Sequence, residues 1–180
     1  RRIFFAQYRQ RLLQAATGKT LEVAVGAGAN FAFYPPGVEL TAVDFSPVLL
    51  EIAAAAAEVN QLNIQMLQSD VESLTFATNS FDTIVSTLSL CAYDDPVKVL
   101  KNFNEWCKPE GKILLFEHGL SLHKPLNWLL NRLDAWNLKK NGDHLNLNVR
   151  QTLVESGITV EEMQTAVLGT HYLIVARPNK

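Results

Sequence analysis

Leu21-Glu22-Val23-Ala24-Val25-Gly26-Ala27-Gly28-Ala29-Asn30 is the stretch that decides the fold. The apolar run over 21–25 has the length and branching of a buried strand, and it runs directly into two glycines. A strand that opens into a glycine loop is how a parallel sheet receives a ligand at its carboxyl edge, because glycine lets backbone and ligand approach closely. A glycine pair serves any tight turn equally well, so the loop fixes a place and not yet a ligand.

Working outward, the runs at 38–43, 81–86 and 112–117 resemble the first and each is followed by a helix signal, while 64–67 supplies a further strand. Ser46 is a good N-cap with Pro47 at the first helical position, and the alanine-rich stretch through Glu58 ends near Asn60. Asp94 or Asp95 caps a helix that starts at Pro96, passes through Val99, Phe103 and Trp106, and is expected to stop at Pro109 and Gly111. Upstream, Ile3, Phe4, Tyr8, Leu12 and Leu13 recur at helical spacing, predicting an opening helix that stops at Gly18. Strands alternating with helices in this way predict a parallel α/β sheet. After a helix at 149–155 come two strands, 158–163 and 171–175, joined by a short turn near Leu168 and Gly169. A parallel pair needs a long crossover, so this last pair is antiparallel.

The segment 122–141 stands apart. Leu126, Leu129, Leu130 and Leu133 fall on one helical stripe with Asn127, Asn131, Arg132 and Asp134 between them. Three uses fit: a lid over a pocket, a face that completes the core, or a surface helix on a membrane aided by Trp128, Trp136, Lys139 and Lys140.

Composition bounds the rest. The chain has 180 residues, 48% of them hydrophobic, enough for one substantial core, so a single domain over 1–180 with a helical lid around 120–145 is expected. Sixteen basic against 18 acidic residues, without a basic block, argue against nucleic-acid binding. No apolar run reaches the roughly 20 residues of a membrane span, and residues 1–14 alternate charge and apolar surface too often for a signal peptide. Cys91 and Cys107 fit neither a disulfide framework nor a zinc spacing, which suits a reducing, cytoplasmic setting. The first residue is Arg1 and not methionine, leaving room for a preceding segment that closes over a ligand.

Asp44 ends the second strand 18 residues after Gly26, where a carboxylate can accept hydrogen bonds from both hydroxyls of a ribose. Phe45 can pack on an adenine, and Asp70, after the third strand, can accept from its amino group. Each has an alternative: Asp44 as a helix cap, Phe45 as core, Asp70 as a turn former. Three strand ends acting together favour an adenosine-containing ligand. A dinucleotide site wants G-x-G-x-x-G ahead of a long helix. Counting from Gly26 puts Phe31 in the last glycine's place, counting from Ala24 loses the first, and Pro35, Pro36 and Gly37 cut the helix short. S-adenosylmethionine carries no phosphate and tolerates such a loop, with backbone groups and Asn30 for its amino-acid end.

LEVAVGAGAN, FAFYPPG, VDFSP, the stretch SLTFATNSFDTIVSTLSLCAYDDPVKVLKNF and the strand KPEGKILLFEHG resemble class I methyltransferases of the type 11 group. Within that group, GANFAFYPPG and TLSLC are similar to the methyltransferase-like thiol methyltransferases and to bacterial proteins labelled quinone or phospholipid methyltransferases. The resemblance implies a Rossmann-like seven-stranded, mostly parallel sheet ordered 3-2-1-4-5-7-6 with strand seven antiparallel. It implies S-adenosylmethionine as cofactor, S-adenosylhomocysteine as product and a small-molecule thiol, amine or quinone-like acceptor. It places Gly26, Ala27 and Gly28 at the methionine part, Asp44 and Phe45 at the ribose and adenine, Asp70 and Val71 at the adenine edge, and Thr87 and Leu88 under the sulfonium. Glu22, in the strand before the loop, is counted with them. Ala24 departs from the loop's usual glycine.

In-line methyl transfer needs alignment and exclusion of water more than a dedicated base. His118, after Glu117 at the end of the fifth strand, is the best-placed titratable group, as an aid to the acceptor or as a histidine bonded to a loop. His123, His144 and His171 lack metal-ligand spacing, Cys91 is expected in the core, Asp94 and Asp95 read as caps, and Tyr93 either lines a pocket or packs; no metal is expected. Two rival readings remain, a nicotinamide-dependent oxidoreductase and a binding module without turnover.

Overall fold

The computed structural model describes residues 5–180. Strands β1 (Lys19–Val23), β2 (Glu39–Asp44), β3 (Ile64–Gln68), β4 (Phe81–Thr87), β5 (Cys107–His118), β6 (Thr159–Ala166) and β7 (His171–Arg177) form one sheet in the order β3-β2-β1-β4-β5-β7-β6. The pairs among β1 to β5 are parallel, and β7 runs antiparallel to both β5 and β6. This is the sheet the sequence predicts, down to the closing hairpin.

Both faces of the sheet are covered, as parallel strands require. Alternate residues of the central strands serve opposite layers: Ile84, Ile113 and Leu115 pack with Val99, Phe103 and Trp106 of the helix α3 (Pro96–Trp106). Val85, Leu114 and Phe116 pack with Leu12 and Leu13 of α1 (Ala6–Leu13) and with Leu50, Ala53 and Ala57 of α2 (Pro47–Val59). Ser46 caps α2 by accepting the Leu49 N–H, and Asp95, not Asp94, caps α3 through the Lys98 N–H.

Two local expectations are corrected. The opening helix stops at Gln14 and not at Gly18; Gly18 instead lies in the bend before β1 with φ +62°, where a Cβ would lie 2.5 Å from the Asp82 carboxylate. The expected contributions of Ile3 and Phe4 lie outside the described residues. Pro109 and Gly111 do not end α3, which stops at Trp106; both sit inside β5, where the pairing with β4 shifts between Cys107 and Lys112. A bulge releases the ladder from needing the N–H that proline lacks. Of the uses left open for α4 (Lys124–Asn141), completing the core is not the one adopted: on its apolar stripe Leu126 and Leu130 are half-buried and Leu129 and Leu133 exposed, and the helix's one buried residue is Asn137. Polar side chains dock this helix instead, because Asn127 bonds both the N–H and the carbonyl of Ser121 while Asn137 holds Asp143. A last helix, α5 (Val149–Ser156), leads into the hairpin.

Candidate active site

The loop after β1 turns on left-handed residues, Ala24 (φ +49°), Gly26 (+56°) and Gly28 (+72°). At Gly28 a Cβ would stand 2.7 Å from the Phe31 ring, so glycine is required there by space as well as by φ. Ala24 adopts a conformation that favours glycine and carries the corresponding strain. Phe31–Phe33 form a single 3-10 turn before the prolines, in line with the curtailed helix expected from sequence.

Asp44, buried at the tip of β2, accepts the Gly26 N–H through Oδ2 at 2.8 Å and the Ser46 N–H through Oδ1 at 2.9 Å. It does not cap α2, since Ser46 does. Beside it lies a crevice of about 340 Å³ lined by Ala24, Asp44, Phe45, Asp70, Ser89 and Tyr93, among others. Phe45 is 74% exposed there and so is not core. Asp70 accepts the Glu72 N–H and thereby starts the turn of Val71–Ser73, while Val71 itself is buried in the core beneath. Tyr93 places a buried hydroxyl in the same region beside Ser89, without a hydrogen bond of normal geometry among the described residues.

Under the loop runs a polar network. Glu22, fully buried, accepts from Asn30 Nδ2 at 2.8 Å and from the Tyr34 hydroxyl at 2.7 Å. Asn30 also donates to Thr87 Oγ1 at 3.1 Å, and Arg9 of α1 donates to both Asn30 Oδ1 and Thr87 Oγ1. Burial pushes the Glu22 carboxyl up to about 7, against the opposing pull of Tyr34, Asn30 and Arg9. Glu22 and Asn30 therefore brace the loop from below. Ala27 is half-buried at its crest, and Leu88 continues from Thr87 at φ +56° with its N–H on the Phe116 carbonyl.

A second cluster forms where β4 and β5 end. Glu117 is fully buried and accepts the Ser86 hydroxyl at 2.6 Å and the N–H groups of Ser89 and Leu90 at 2.9 and 3.2 Å; burial raises it to about 7. It thus fixes the turn at Leu90–Ala92 that carries Cys91. His118 Nε2 lies 3.2 Å from Cys91 Sγ and 3.4 Å from Asp143 Oδ2. His171 stacks on Phe5 and is pushed down to about 4, by burial and then by His118. His144 bonds Asp134 and His123 precedes α4, so neither joins this cluster.

Residues 21–115 match the type 11 methyltransferase family model, described as a methyltransferase domain. The chain belongs to the methyltransferase domain family. The chain is 29% identical to "Methyltransferase OMS1, mitochondrial" of Saccharomyces cerevisiae, over 97% of the chain and 41% of that protein. It is 34% identical to human "Thiol S-methyltransferase TMT1B", over 59% of the chain and 46% of that protein. The chain thus spans less than half the length of both relatives. The solved geranyl diphosphate C-methyltransferase of Streptomyces coelicolor A3(2), in complex with S-adenosyl-L-homocysteine, shares the fold with a TM-score of 0.78 at 9% identity, covering 98% of the chain and 80% of that structure.

The family assignment removes the nicotinamide-dependent alternative, and no helix of the described residues is long and apolar enough to cross a membrane. A larger concavity, about 690 Å³, lies at the opposite edge of the sheet beside Lys19, Glu39 and Phe81. Those residues begin their strands, whereas parallel sheets bind ligands where strands end. Sequence reasoning missed Arg9, Tyr34, Asp143 and the anchoring task of Glu117. Arg9 left a trace, a charge among the apolar positions of its helix; Asp143 left none.

Proposed function

We propose that this domain transfers a methyl group from S-adenosylmethionine to a small, apolar thiol, with S-adenosylhomocysteine as product. The observation that carries the reading is Asp44: a buried carboxylate whose two oxygens each hold one backbone N–H and retain a second lone pair, at the rim of a crevice flanked by exposed Phe45. That donor–acceptor set fits a ribose diol under an adenine, and Asp70 at the third strand end fits the adenine amino group. The glycine loop, braced by Glu22 and Asn30, has no long helix to face a diphosphate, which suits a sulfonium cofactor.

Bound S-adenosylmethionine supplies an electrophilic methyl group on a positively charged sulfur. The chain's task is alignment and the exclusion of water. Thr87 and Leu88 form the floor beneath the reacting centre, and α4 with residues 142–147 closes the acceptor side as a lid. His118 favours the deprotonated acceptor, which a thiol needs for nucleophilicity. The thiol is chosen over amine and quinone-like acceptors because a relative named for thiol methylation is 34% identical over 59% of the chain.

Calorimetry with S-adenosylmethionine and S-adenosylhomocysteine, then a panel of thiols, amines and phenols read by S-adenosylhomocysteine release, tests the proposal. Cofactor binding with thiol-dependent release supports it. Binding without turnover on any acceptor reduces the protein to a binding module, and absence of cofactor binding overturns the reading.

A further inference from the structure

Cys91, His118 and Asp143 come from three elements far apart in sequence, yet their side-chain donor atoms all lie within 4.8 Å of one another. Cys91 Sγ and Asp143 Oδ2 address the same atom, His118 Nε2, at 3.2 and 3.4 Å. A neutral imidazole nitrogen offers either one proton or one lone pair. With a proton it satisfies one neighbour, and if that is Asp143 the Cys91 thiol is left with the Leu88 carbonyl at 4.0 Å; with a lone pair it faces the lone pairs of the carboxylate. A cation among the three atoms removes that conflict, because all three then point lone pairs at positive charge. Bond lengths of about 2.0 to 2.3 Å around tetrahedral zinc set neighbouring ligand atoms roughly 3.3 to 3.6 Å apart, close to the two spacings from His118 Nε2, with the remaining pair within 4.8 Å.

The supports of the three side chains are also those of a built site. Glu117 holds the N–H groups of Ser89 and Leu90 and so fixes the turn that presents Cys91. Asn137, the buried residue of α4, donates to the carbonyl and the carboxylate of Asp143 at 2.7 and 3.1 Å. The His144 N–H bonds the Cys91 carbonyl at 2.8 Å, which ties the loop of Asp143 to the turn of Cys91. His118 is fixed by its strand, paired with His171 across the ladder. Such outer contacts orient metal ligands elsewhere.

The geometry points to a site for a thiophilic divalent cation of the zinc type, held by Cys91 Sγ, His118 Nε2 and Asp143 Oδ2. Coordination releases the Cys91 thiol proton to solvent. Three protein ligands leave the fourth tetrahedral position for water or a substrate sulfur, the pattern of catalytic and not structural zinc. That this position takes the acceptor rests on the methyl-transfer reading above, and it explains how His118 favours a deprotonated thiol: as a ligand. Cation binding itself does not depend on that reading.

The test is a zinc titration of the chelator-stripped chain against a chromophoric competitor, with cobalt as a spectroscopic probe. One equivalent is expected, with a sulfur-to-cobalt charge-transfer band that Cys91→Ala abolishes. Cys91→Ala and Asp143→Asn are each expected to weaken zinc binding by more than the roughly 10–100-fold that loss of an outer contact costs. Asp143 is partly exposed on a loop, so Asp143→Asn keeps the test valid if Cys91→Ala fails to fold by circular dichroism. No stoichiometric zinc, or binding unchanged in Asp143→Asn, overturns the inference. Zinc-free protein that binds S-adenosylmethionine and turns over at full rate overturns the catalytic use of the cation and leaves methyl transfer standing. Zinc binding without cofactor binding overturns methyl transfer and leaves the cation site.

Discussion

The Asp44 carboxylate accepts the Gly26 N–H at 2.8 Å, which ties the tip of β2 to the glycine loop that follows β1. One side chain therefore shapes the loop and offers its remaining lone pairs to a ligand. Asp44→Ala is expected to weaken S-adenosylmethionine binding by about 1 to 3 kcal/mol, the range for losing hydrogen bonds to a charged acceptor. Calorimetry on wild type and variant checks this; unchanged affinity removes the ribose assignment.

Ala24 holds φ +49° two residues before Gly26. A non-glycine residue in that region costs about 1 to 2 kcal/mol, part of which glycine gives back through its freer unfolded chain. Ala24→Gly is expected to raise stability by up to ~1 kcal/mol, seen as a melting temperature higher by about 2–4 °C for a domain of this size. A lower melting temperature contradicts the strain.

Glu22 is raised by burial to about 7, so the folded state binds its proton more tightly than the unfolded state does. The stability this contributes is complete below the ordinary glutamate range near 4.5 and is lost as pH rises through about 7. Melting temperatures across that window are expected to fall for wild type and to fall less for Glu22→Gln. Parallel profiles exclude Glu22 as a source of the slope.

Asn137 is the buried contact of α4, whereas Trp128 and Trp136 are more than 60% exposed. Asn137→Ala is expected to speed amide hydrogen exchange along 124–141 and leave the central strands protected. Trp128→Ala on the exposed face is expected to change stability by less than about 0.5 kcal/mol. The reverse ranking assigns the docking face to the side of the helix that carries Trp128.

His118→Ala is expected to slow thiol-dependent turnover while calorimetric affinity for S-adenosylmethionine stays within twofold, on the order of 0.4 kcal/mol. A wild-type rate makes His118 scaffold.

What sequence alone determined here is whatever short stretches encode. Runs of branched apolar residues between caps such as Ser46 and Asp95 announce strands and helices, and Gly26, Gly28 and Asp44 mark strand ends where a parallel sheet opens to ligands. Those signals are local, because a buried strand, a capped first turn and a left-handed residue each leave their requirement in a few neighbouring positions. Tertiary structure alone decided where polar groups without local partners found them. Arg9 reaches Asn30 and Thr87, Asn137 turns α4 onto Asp143, and β5 runs on through Pro109 because β4 lies beside it. Cys91, His118 and Asp143 meet only because the turn after β4, the end of β5 and the loop after α4 come together in space. Spacing along a chain carries no record of such meetings, since the distance between donor atoms is set by packing and not by the residues between them.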